Sequence, residues 1–314
     1  MKVLLAGASG AIGQALVRQL KAAGETVIGL ARSPEAARAL AAAGAESVLA
    51  DALDAEAVKD ALMQVRPDAV INELTALPKR YTPQEMKAAA PHDREVRLNG
   101  NANLLAATGA AGVRRYILES SGFWYEAGTG LADEGVQFAF DASPGIAASA
   151  RTYAELEAAA FSHAPLQVVA LRYGFFYGPG TWYTREGDMG DQVRQRKVPI
   201  IGGGRGVSNW VHIEDAASAT VAALHGAPGV YNIVDDDTSE QRIWLPAFAL
   251  YAGAAAPRRV WRVLGQPSAG AEVVYYATRL RGASNAKAKR ELNFRPRPLE
   301  WLSTASAGAP FFAP

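Results

Sequence analysis

The sequence contains no cysteine among its 314 residues. This absence excludes disulfide bonds, thiolate catalysis and cysteine-ligated metal sites. The 32 basic and 31 acidic side chains nearly cancel, and no basic block would follow a phosphate backbone, so we expect no nucleic-acid partner. No apolar run approaches the ~20 residues of a membrane span, and a strand is predicted from residue 2 onwards. We therefore expect a cytoplasmic protein with no membrane partner.

Histidine is scarce as well, with four residues in the chain. A run of carboxylates, Asp235-Asp236-Asp237, follows a predicted strand. Such runs are usually solvated turns, and without partner histidines we expect no metal site.

Near the amino end of the chain, an apolar run typical of a strand leads into a glycine triplet. The sequence there is Leu4-Leu5-Ala6-Gly7-Ala8-Ser9-Gly10-Ala11-Ile12-Gly13, and an amphipathic segment follows at once. A tight turn between strand and helix needs residues without a Cβ. Bare backbone also lets a pyrophosphate approach the helix amino terminus, where free N–H groups favour anions. We predict a dinucleotide-binding turn whose cofactor contacts are Gly7, Ser9, Gly10, Ala11, Ile12 and Gly13.

The first 170 residues alternate between short aliphatic runs and alanine-rich amphipathic segments. Aliphatic runs without alternation are typical of parallel strands that are covered on both faces. Strands are predicted near 2–6, 26–30, 46–50, 69–72, 115–120 and 166–171, and helices near 11–23, 34–43, 54–65, 92–110 and 146–163. We predict an α/β fold with a Rossmann-type doubly wound parallel sheet over residues 1–173. A smaller C-terminal substrate-binding lobe is predicted over 174–314, with segments about 211–234 returning to the sheet.

Further motifs are spread over nearly the whole chain, and together they resemble an extended short-chain dehydrogenase/reductase. This group contains NAD(P)-dependent epimerases, dehydratases and reductases. The motifs are the glycine triplet, Asp51 after the third strand, Ser120-Ser121, Leu171-Arg172-Tyr173, Tyr177-Gly178-Pro179-Gly180, Val211-His212-Ile213-Glu214-Asp215-Ala216 and Ser284-Asn285-Ala286-Lys287-Ala288-Lys289. The resemblance implies that Asp51 and Ala52 lie at the adenine, and that Asn72 to Ala76 run beside the pyrophosphate and nicotinamide ribose. The further cofactor contacts that it implies are Leu74, Thr75, Tyr173, Gly174 and Phe175.

The end of the second predicted strand bears on the choice of cofactor. It reads Gly29-Leu30-Ala31-Arg32-Ser33 and lacks the carboxylate that usually holds the ribose 2′-hydroxyl of NAD. Arg32 can form a charge-assisted pair with a 2′-phosphate, and Ser9 or Ser33 can add a hydroxyl. We therefore predict NADP as the cofactor. The alternative is that Arg32 is an ordinary surface arginine.

The expected catalytic centre departs from the family pattern. The resemblance implies a serine, for which Ser121 has the right position, and a Tyr-x-x-x-Lys pair on the helix after the fifth strand. There the lysine holds the ribose and lowers the tyrosine pKa. That helix contains no lysine here. Either Tyr153 is the tyrosine and Glu157 replaces the lysine, or Glu157 is the glutamate often found four residues after the lysine. In the second alignment Ser149 replaces the tyrosine and Tyr153 the lysine, and the separation of Glu157 from Arg172 along the chain favours it.

Arg97 stands at the position of the asparagine that usually supports this relay. Turned inward, Arg97 supplies a positive charge in place of the lysine; turned outward, it is a helix-surface arginine. Without a neighbouring cation, Tyr153 keeps a phenol pKa of about 10 and is a poor acid. The candidate catalytic residues are therefore Ser121, Tyr153 and Arg97, with Glu73 at a strand end as a further candidate acid or base.

Aromatic residues are dense in the loops where the substrate should lie, which favours an apolar or aromatic substrate. They are Phe123, Trp124, Tyr125, Phe175, Phe176, Trp182, Tyr183 and Trp210. We predict an NADP(H)-dependent oxidoreductase acting on a small carbonyl compound or conjugated alkene, with a non-standard proton relay. The alternatives are a cofactor-retaining epimerase, isomerase or dehydratase, and a non-catalytic NADP(H)-binding regulator. The resemblance also implies a homodimer through the helices near 92–110 and 146–163.

Overall fold

The computed structural model describes residues 1–261 and 270–303. The strands are β1 (Lys2–Ala6), β2 (Thr26–Ala31), β3 (Glu46–Leu49), β4 (Ala69–Asn72), β5 (Arg115–Ser121), β6 (Gln167–Tyr173), β7 (Phe175–Tyr177), β8 (Ile200–Ile201), β9 (Val207–Ser208), β10 (Trp210–His212), β11 (Gly229–Ile233), β12 (Ser239–Glu240) and β13 (Arg259–Val260). The helices are α1 (Ala11–Ala22), α2 (Pro34–Ala42), α3 (Ala55–Val65), α4 (Pro83–Ala111), α5 (Pro144–Phe161), α6 (Asp188–Arg194), α7 (Ile213–Ala223), α8 (Gln241–Tyr251), α9 (Ala271–Arg279) and α10 (Ala286–Glu291).

The central sheet has seven parallel strands in the order β11-β6-β5-β4-β1-β2-β3. Helices cover both faces: α1 and α7 pack on one face, and α3, α4 and α5 pack on the other. Covering both faces explains why the strands are aliphatic without alternation. The strand order reverses between β1 and β4, and ligands bind at the carboxyl ends of the strands beside such a switch. The predicted doubly wound sheet is confirmed.

The chain returns to this sheet after the short strands of the second half. Strand β11 pairs with β6, from Gly229 opposite Val169 to Ile233 opposite Tyr173. Helix α7 lies against α1, where Glu214 accepts hydrogen bonds from Gln19 and pairs with Arg18.

Helix α4 begins nine residues before the predicted start near residue 92. Thr82 caps it by accepting a hydrogen bond from the backbone N–H of Glu85 at 3.2 Å, and Pro83 occupies the first turn. The prediction was wrong because Pro91 resembles a helix start, whereas the helix continues through this proline. The earlier signal, a threonine followed by proline and then glutamate, is a regular amino-terminal pattern.

A second core fills the C-terminal part of the chain and is built largely from aromatic rings. Trp210 lies at its centre, with its ring 5.0 Å from those of Trp244 and Trp301 between centroids, and both of these contacts are edge to face. Such buried aromatic residues typically contribute 3–5 kcal/mol each against truncation to alanine. Within the two described ranges, none of the helices combines the length and apolar character that crossing a membrane requires.

Candidate functional site

The glycine turn between β1 and α1 forms a cradle of bare backbone. Gly7 has a φ of +87°, and a Cβ there would lie 2.3 Å from the backbone oxygen of Glu73. A Cβ on Gly13 would lie 2.3 Å from the Gly7 oxygen, so this helix packs on the turn only with glycine. Gly10 precedes α1 and no side chain caps the helix there. The first N–H groups of α1 therefore remain open to an anion, and the cradle fits a dinucleotide pyrophosphate.

Arg32 lies directly after β2 and is exposed. Across residues 1–261 and 270–303 it has no carboxylate partner, whereas the Ser33 hydroxyl caps α2 by accepting from the Ala36 N–H at 3.2 Å. Ser9, on the glycine turn, is also exposed. Of the three residues predicted for a 2′-phosphate, Arg32 and Ser9 have side chains free to contact it.

The loops after β3 and β4 hold the next predicted contacts. Asp51 is exposed and its carboxylate accepts from the Leu53 N–H at 2.9 Å, while Ala52 is buried. Asn72 is buried, donates to Asn101 Oδ1 and Tyr116 Oη at 3.0 Å each, and accepts from the Leu74 N–H at 3.1 Å. The Asn72 amide thus shapes the loop that carries Leu74 and Thr75.

At the end of β6, Tyr173 is a core residue. Its hydroxyl donates to Glu73 Oε1 at 3.0 Å and lies 2.6 Å from Thr220 Oγ1. The next residue is Gly174, and a Cβ added to it would lie 2.7 Å from the Asn209 backbone oxygen. Phe175 is half-buried, so its face remains partly open to a ligand.

Glu73 is a buried acid that backs the glycine cradle. Its Oε2 has no hydrogen-bond partner among the described residues. Burial raises the pKa of Glu73 well above its ordinary value, and the nearby Glu119 carboxylate raises it further. This environment favours the protonated form of Glu73, which suits a hydrogen-bond donor better than a general base.

Ser121 ends β5 and is 2% exposed. Its Oγ has no hydrogen-bond partner within the part of the chain that the structure describes. The neighbouring Ser120 differs, because its hydroxyl donates to Glu157 Oε1 at 2.6 Å. An unpaired buried hydroxyl is costly unless a ligand satisfies it, so Ser121 is the serine available to a substrate.

Glu157 is held in a bidentate ion pair with Arg172. The Arg172 guanidinium donates at 2.8 Å and 2.7 Å to the two carboxylate oxygens, and it also donates to the Tyr125 hydroxyl at 3.1 Å. This engagement removes Glu157 as a substitute for the missing lysine. It favours the alignment in which Tyr153 has the lysine's position and Ser149 the tyrosine's.

Tyr153 belongs to a buried cluster with Arg97, Asp93 and Glu119, which we call the Arg97 cluster. Arg97 is 5% exposed, so it turns inward. Its guanidinium lies 5.0 Å from the centre of the Tyr153 ring, donates to Asp93 Oδ2 at 2.8 Å and pairs with Glu119.

The Arg97 cluster does not activate the phenol as a lysine would. Burial is the largest cause that raises the pKa of Tyr153 well above its ordinary value. Arg97 lowers this pKa, but Glu119 and Asp93 oppose it because two carboxyl groups share one guanidinium. Tyr153 is therefore a weak acid towards a substrate.

Sequence reasoning missed Glu119 and Asp93. Asp93 lies four residues before Arg97 on α4, a spacing that brings side chains together on one helix face. Glu119 is an acidic residue directly after the aliphatic pair Ile117-Leu118 of β5, two residues before Ser121. Both signals were present, but the pairing of α4 with β5 was needed to connect them.

The aromatic residues divide between core and cleft. Tyr125, Tyr183 and Trp210 are buried core residues, which removes them from the predicted substrate wall. Phe123 stacks on Phe175 with ring centres 4.1 Å apart. Trp124 lies against Tyr153 at 5.3 Å and donates to the hydroxyl of Tyr276 at 3.0 Å. The half-buried residues beside Ser121 and Tyr153, which we call the aromatic wall, are Phe123, Trp124, Phe175 and Tyr276.

The carboxylate run after β11 is not the solvated turn that the sequence suggested. Asp235 is 1% exposed, and burial raises its pKa to about 8. Asp237 Oδ2 accepts from the Leu299 N–H at 2.7 Å, and Asp236 pairs with Lys289 at 2.5 Å. The run therefore ties the C-terminal segment to the sheet. No group of three histidine or acidic side chains in residues 1–261 and 270–303 is arranged to hold a metal ion.

Comparisons with known proteins bear on this site. A family model described as the NAD dependent epimerase/dehydratase family matches residues 3–233. A 3-diazoavenalumate denitrifying reductase from a Streptomyces species is 38% identical over 308 residues, which are 96% of this chain and 98% of that protein. A 2-alkyl-3-oxoalkanoate reductase from Stenotrophomonas maltophilia is 29% identical over 238 residues, or 73% of this chain and 67% of that protein. The crystal structure of a Thermus thermophilus UDP-glucose 4-epimerase in complex with NAD matches with a TM-score of 0.69 at 25% identity, over 95% of this chain and 94% of that chain.

Proposed function

The chain belongs to the NAD-dependent epimerase/dehydratase family, and from this premise we propose that it is an NADP(H)-dependent reductase of a small aromatic substrate. The family match agrees with the resemblance found in the sequence. Two relatives named as reductases support reduction over cofactor-retaining isomerisation. When bound, the reduced cofactor supplies a hydride.

The choice of NADP rests on the end of β2. Arg32 is exposed and, within the described ranges, free of carboxylates, and Ser9 is exposed on the glycine turn. An arginine at this place gives a 2′-phosphate a charge-assisted pair, which the 2′-hydroxyl of NAD does not need. The pyrophosphate would lie on the bare backbone from Gly7 to Gly13, at the amino end of α1.

The observation that carries the proposal is that Arg97, whose guanidinium lies over the Tyr153 ring, is paired with both Asp93 and Glu119. It leaves the site without an activated phenol, so the reaction that fits best needs no proton from this position. An aryl diazonium ion meets this requirement, because hydride addition and loss of dinitrogen yield the arene without net uptake of a proton. The relative named for denitrifying a diazo compound supports this substrate class, and the aromatic wall offers ring faces to pack against.

A carbonyl compound or conjugated alkene is the second candidate. The unpaired Oγ of Ser121 favours it, because this hydroxyl can donate to a carbonyl oxygen as negative charge develops there. The relative named for an oxoalkanoate substrate also supports it. In that case water, and not Tyr153, would deliver the proton.

The test is turnover of an aryl diazonium acid by the purified protein with NADPH. The expected result is one-to-one loss of NADPH and formation of dinitrogen and arene, at a rate well above that with heat-denatured protein. An aromatic ketone or enone tested in parallel identifies the second candidate. Rearranged substrate without NADPH consumption would contradict reduction, and NADPH binding without turnover of either class would favour a regulator.

A further inference from the structure

A cavity opens between the loop of residues 127–131, strand β9 and the carboxyl end of α9. Its volume is about 370 Å³, and small-molecule sites typically measure about 300–1,000 Å³. Its lining contains none of the residues assigned above to the cofactor, the catalytic centre or the aromatic wall. The cavity is therefore a second place on the molecule where a small ligand has room to bind.

All of the charge on the lining of this cavity is positive. Arg205, Arg279 and Arg281 contribute three guanidinium groups, and no aspartate or glutamate lines the cavity. Over residues 1–261 and 270–303, none of the three arginines pairs with a carboxylate. The remaining stretches, 262–269 and 304–314, contain no acidic residue. Three cations that no acidic side chain neutralises repel one another, and a bound anion relieves that repulsion.

Arg281 is held in position by backbone carbonyl groups. Its Nε donates to the Gly130 oxygen at 3.0 Å, and one terminal nitrogen donates to the Thr129 oxygen at 2.9 Å. The other terminal nitrogen lies over Gly128, where an added Cβ would be 2.7 Å away. A guanidinium has five N–H groups, so donors remain after both carbonyls are satisfied. The carbonyls thus orient Arg281 without neutralising its charge.

The walls of the cavity are joined to one another by backbone hydrogen bonds. The Ala132 N–H donates to the Gly282 oxygen at 2.7 Å, and the Val207 N–H donates to the Leu280 oxygen at 2.9 Å. An added Cβ on Gly282 would lie 2.8 Å from Leu131 Cδ2 and 3.1 Å from Val207 Cγ1, so these walls meet at bare backbone. A cavity whose walls are already connected loses little conformational entropy when it binds a ligand.

The lining also indicates the class of ligand. Guanidinium groups bind phosphate and carboxylate oxygens through paired, charge-assisted hydrogen bonds. The apolar side chains of Leu131, Val207 and Leu280 share the lining with the arginines, and they suit a carbon skeleton better than a bare inorganic ion. We propose that this cavity binds a small organic anion that carries two or more phosphate or carboxylate groups. The inference goes beyond the proposed reduction and does not depend on it.

The experiment is calorimetric titration at constant ionic strength, with NADPH at saturation so that the cofactor occupies its own phosphate sites. The probes are fructose 1,6-bisphosphate for phosphate groups and citrate for carboxylate groups, with inorganic phosphate as the bare ion. One of the two organic probes should bind with one-to-one stoichiometry and more tightly than inorganic phosphate. Which of the two binds identifies the anionic group that the cavity prefers.

Substitution of the arginines locates the binding. Arg205→Gln and Arg279→Gln should each weaken binding of that probe about tenfold or more, because each removes a charged donor. Arg114→Gln is the matched control, since Arg114 is also exposed and precedes the amino end of β5, far from the cavity. It removes the same charge and should change the affinity by about twofold or less. Thermal melting without the probe checks that each variant is folded.

Binding of neither organic probe, or equal weakening by Arg114→Gln and Arg279→Gln, would overturn the inference. The same holds if both cavity variants bind as the wild-type protein does. If the protein does not bind NADPH, the titration is made without it, with Arg32→Ala as a further control. Weakening by Arg279→Gln and not by Arg32→Ala then still identifies this cavity, so the two proposals fail independently.

Discussion

Replacing Tyr153 by phenylalanine tests whether this site uses the usual proton relay, in which the tyrosine is the acid. The substitution removes one hydroxyl and keeps the ring that packs against Trp124 and Arg97. In the wild-type protein burial raises the pKa of that hydroxyl well above the ordinary value. Because the phenol is not activated, its loss should have little effect on the chemical step.

The expected loss of kcat depends on whether Tyr153 is the general acid. Loss of a positioned general acid typically lowers the rate 10²–10⁴-fold. Loss of a hydroxyl that is not the proton donor should lower kcat about tenfold or less, which corresponds to roughly 1.4 kcal/mol. Ser121→Ala should lower kcat more, because the Ser121 hydroxyl is unpaired and available to the reacting group.

The assay is steady-state kinetics of both variants, with NADPH affinity measured separately. The pH profile of kcat should be the same for wild type and Tyr153→Phe through the neutral range, since the phenol does not ionise there. A hundredfold or larger loss of kcat in Tyr153→Phe with unchanged NADPH affinity would refute this reasoning. It would show that Tyr153 is the acid and that Arg97 takes the place of the lysine.

Other perturbations test the cofactor, the core and the assembly. Arg32→Ala should weaken NADPH binding by about 1.5–3 kcal/mol and leave NADH nearly unaffected in calorimetry, and equal losses would contradict the 2′-phosphate contact. Arg172→Met leaves Glu157 buried without its cation and should lower the unfolding free energy by about 3–5 kcal/mol in urea titrations, a loss that adding Glu157→Gln should largely reverse. Burial raises the pKa of Asp235 to about 8, so the folded protein retains a proton that the unfolded chain releases above about pH 4, and stability should fall as the pH rises between these values. Asp235→Asn should lose that dependence in urea titrations, and an unchanged slope would contradict it. Light scattering at micromolar concentration should give twice the chain mass of 33.2 kDa, and a monomer would contradict the expected dimer.

Most of the sheet could be predicted because its signals are local. Aliphatic runs, the glycine triplet and helix caps such as Asp54, which accepts from the Ala57 N–H at 3.1 Å, all act within a few residues. The start of α4 was missed because Pro91 is a stronger local signal than Thr82. Local rules also misjudged the run that begins at Asp235, because Asp237 accepts from the N–H of Leu299, 62 residues later.

The Arg97 cluster marks the limit of sequence reasoning. Its members come from α4, β5 and α5, and the pairing of Arg97 with Glu119 spans 22 residues. Composition and periodicity place each residue on its helix or strand. The inward orientation of Arg97, however, depends on its ion pairs with the carboxyl groups of Asp93 and Glu119. A buried guanidinium without such partners would be strongly unfavourable, so its orientation is a property of the assembled site.

The charge of this cluster also bears on the choice between the two proposed substrate classes. Reduction of a ketone develops negative charge on an oxygen, and the carboxyl groups of Glu119 and Asp93 oppose such charge in a low-dielectric site. An aryl diazonium ion carries positive charge that hydride transfer removes, and the same carboxyl groups favour its binding. Its aromatic ring also matches the wall formed by Phe123 and Trp124. The electrostatics of the Arg97 cluster thus favour the cationic substrate, and Glu119→Gln should impair turnover of a diazonium acid more than that of a ketone.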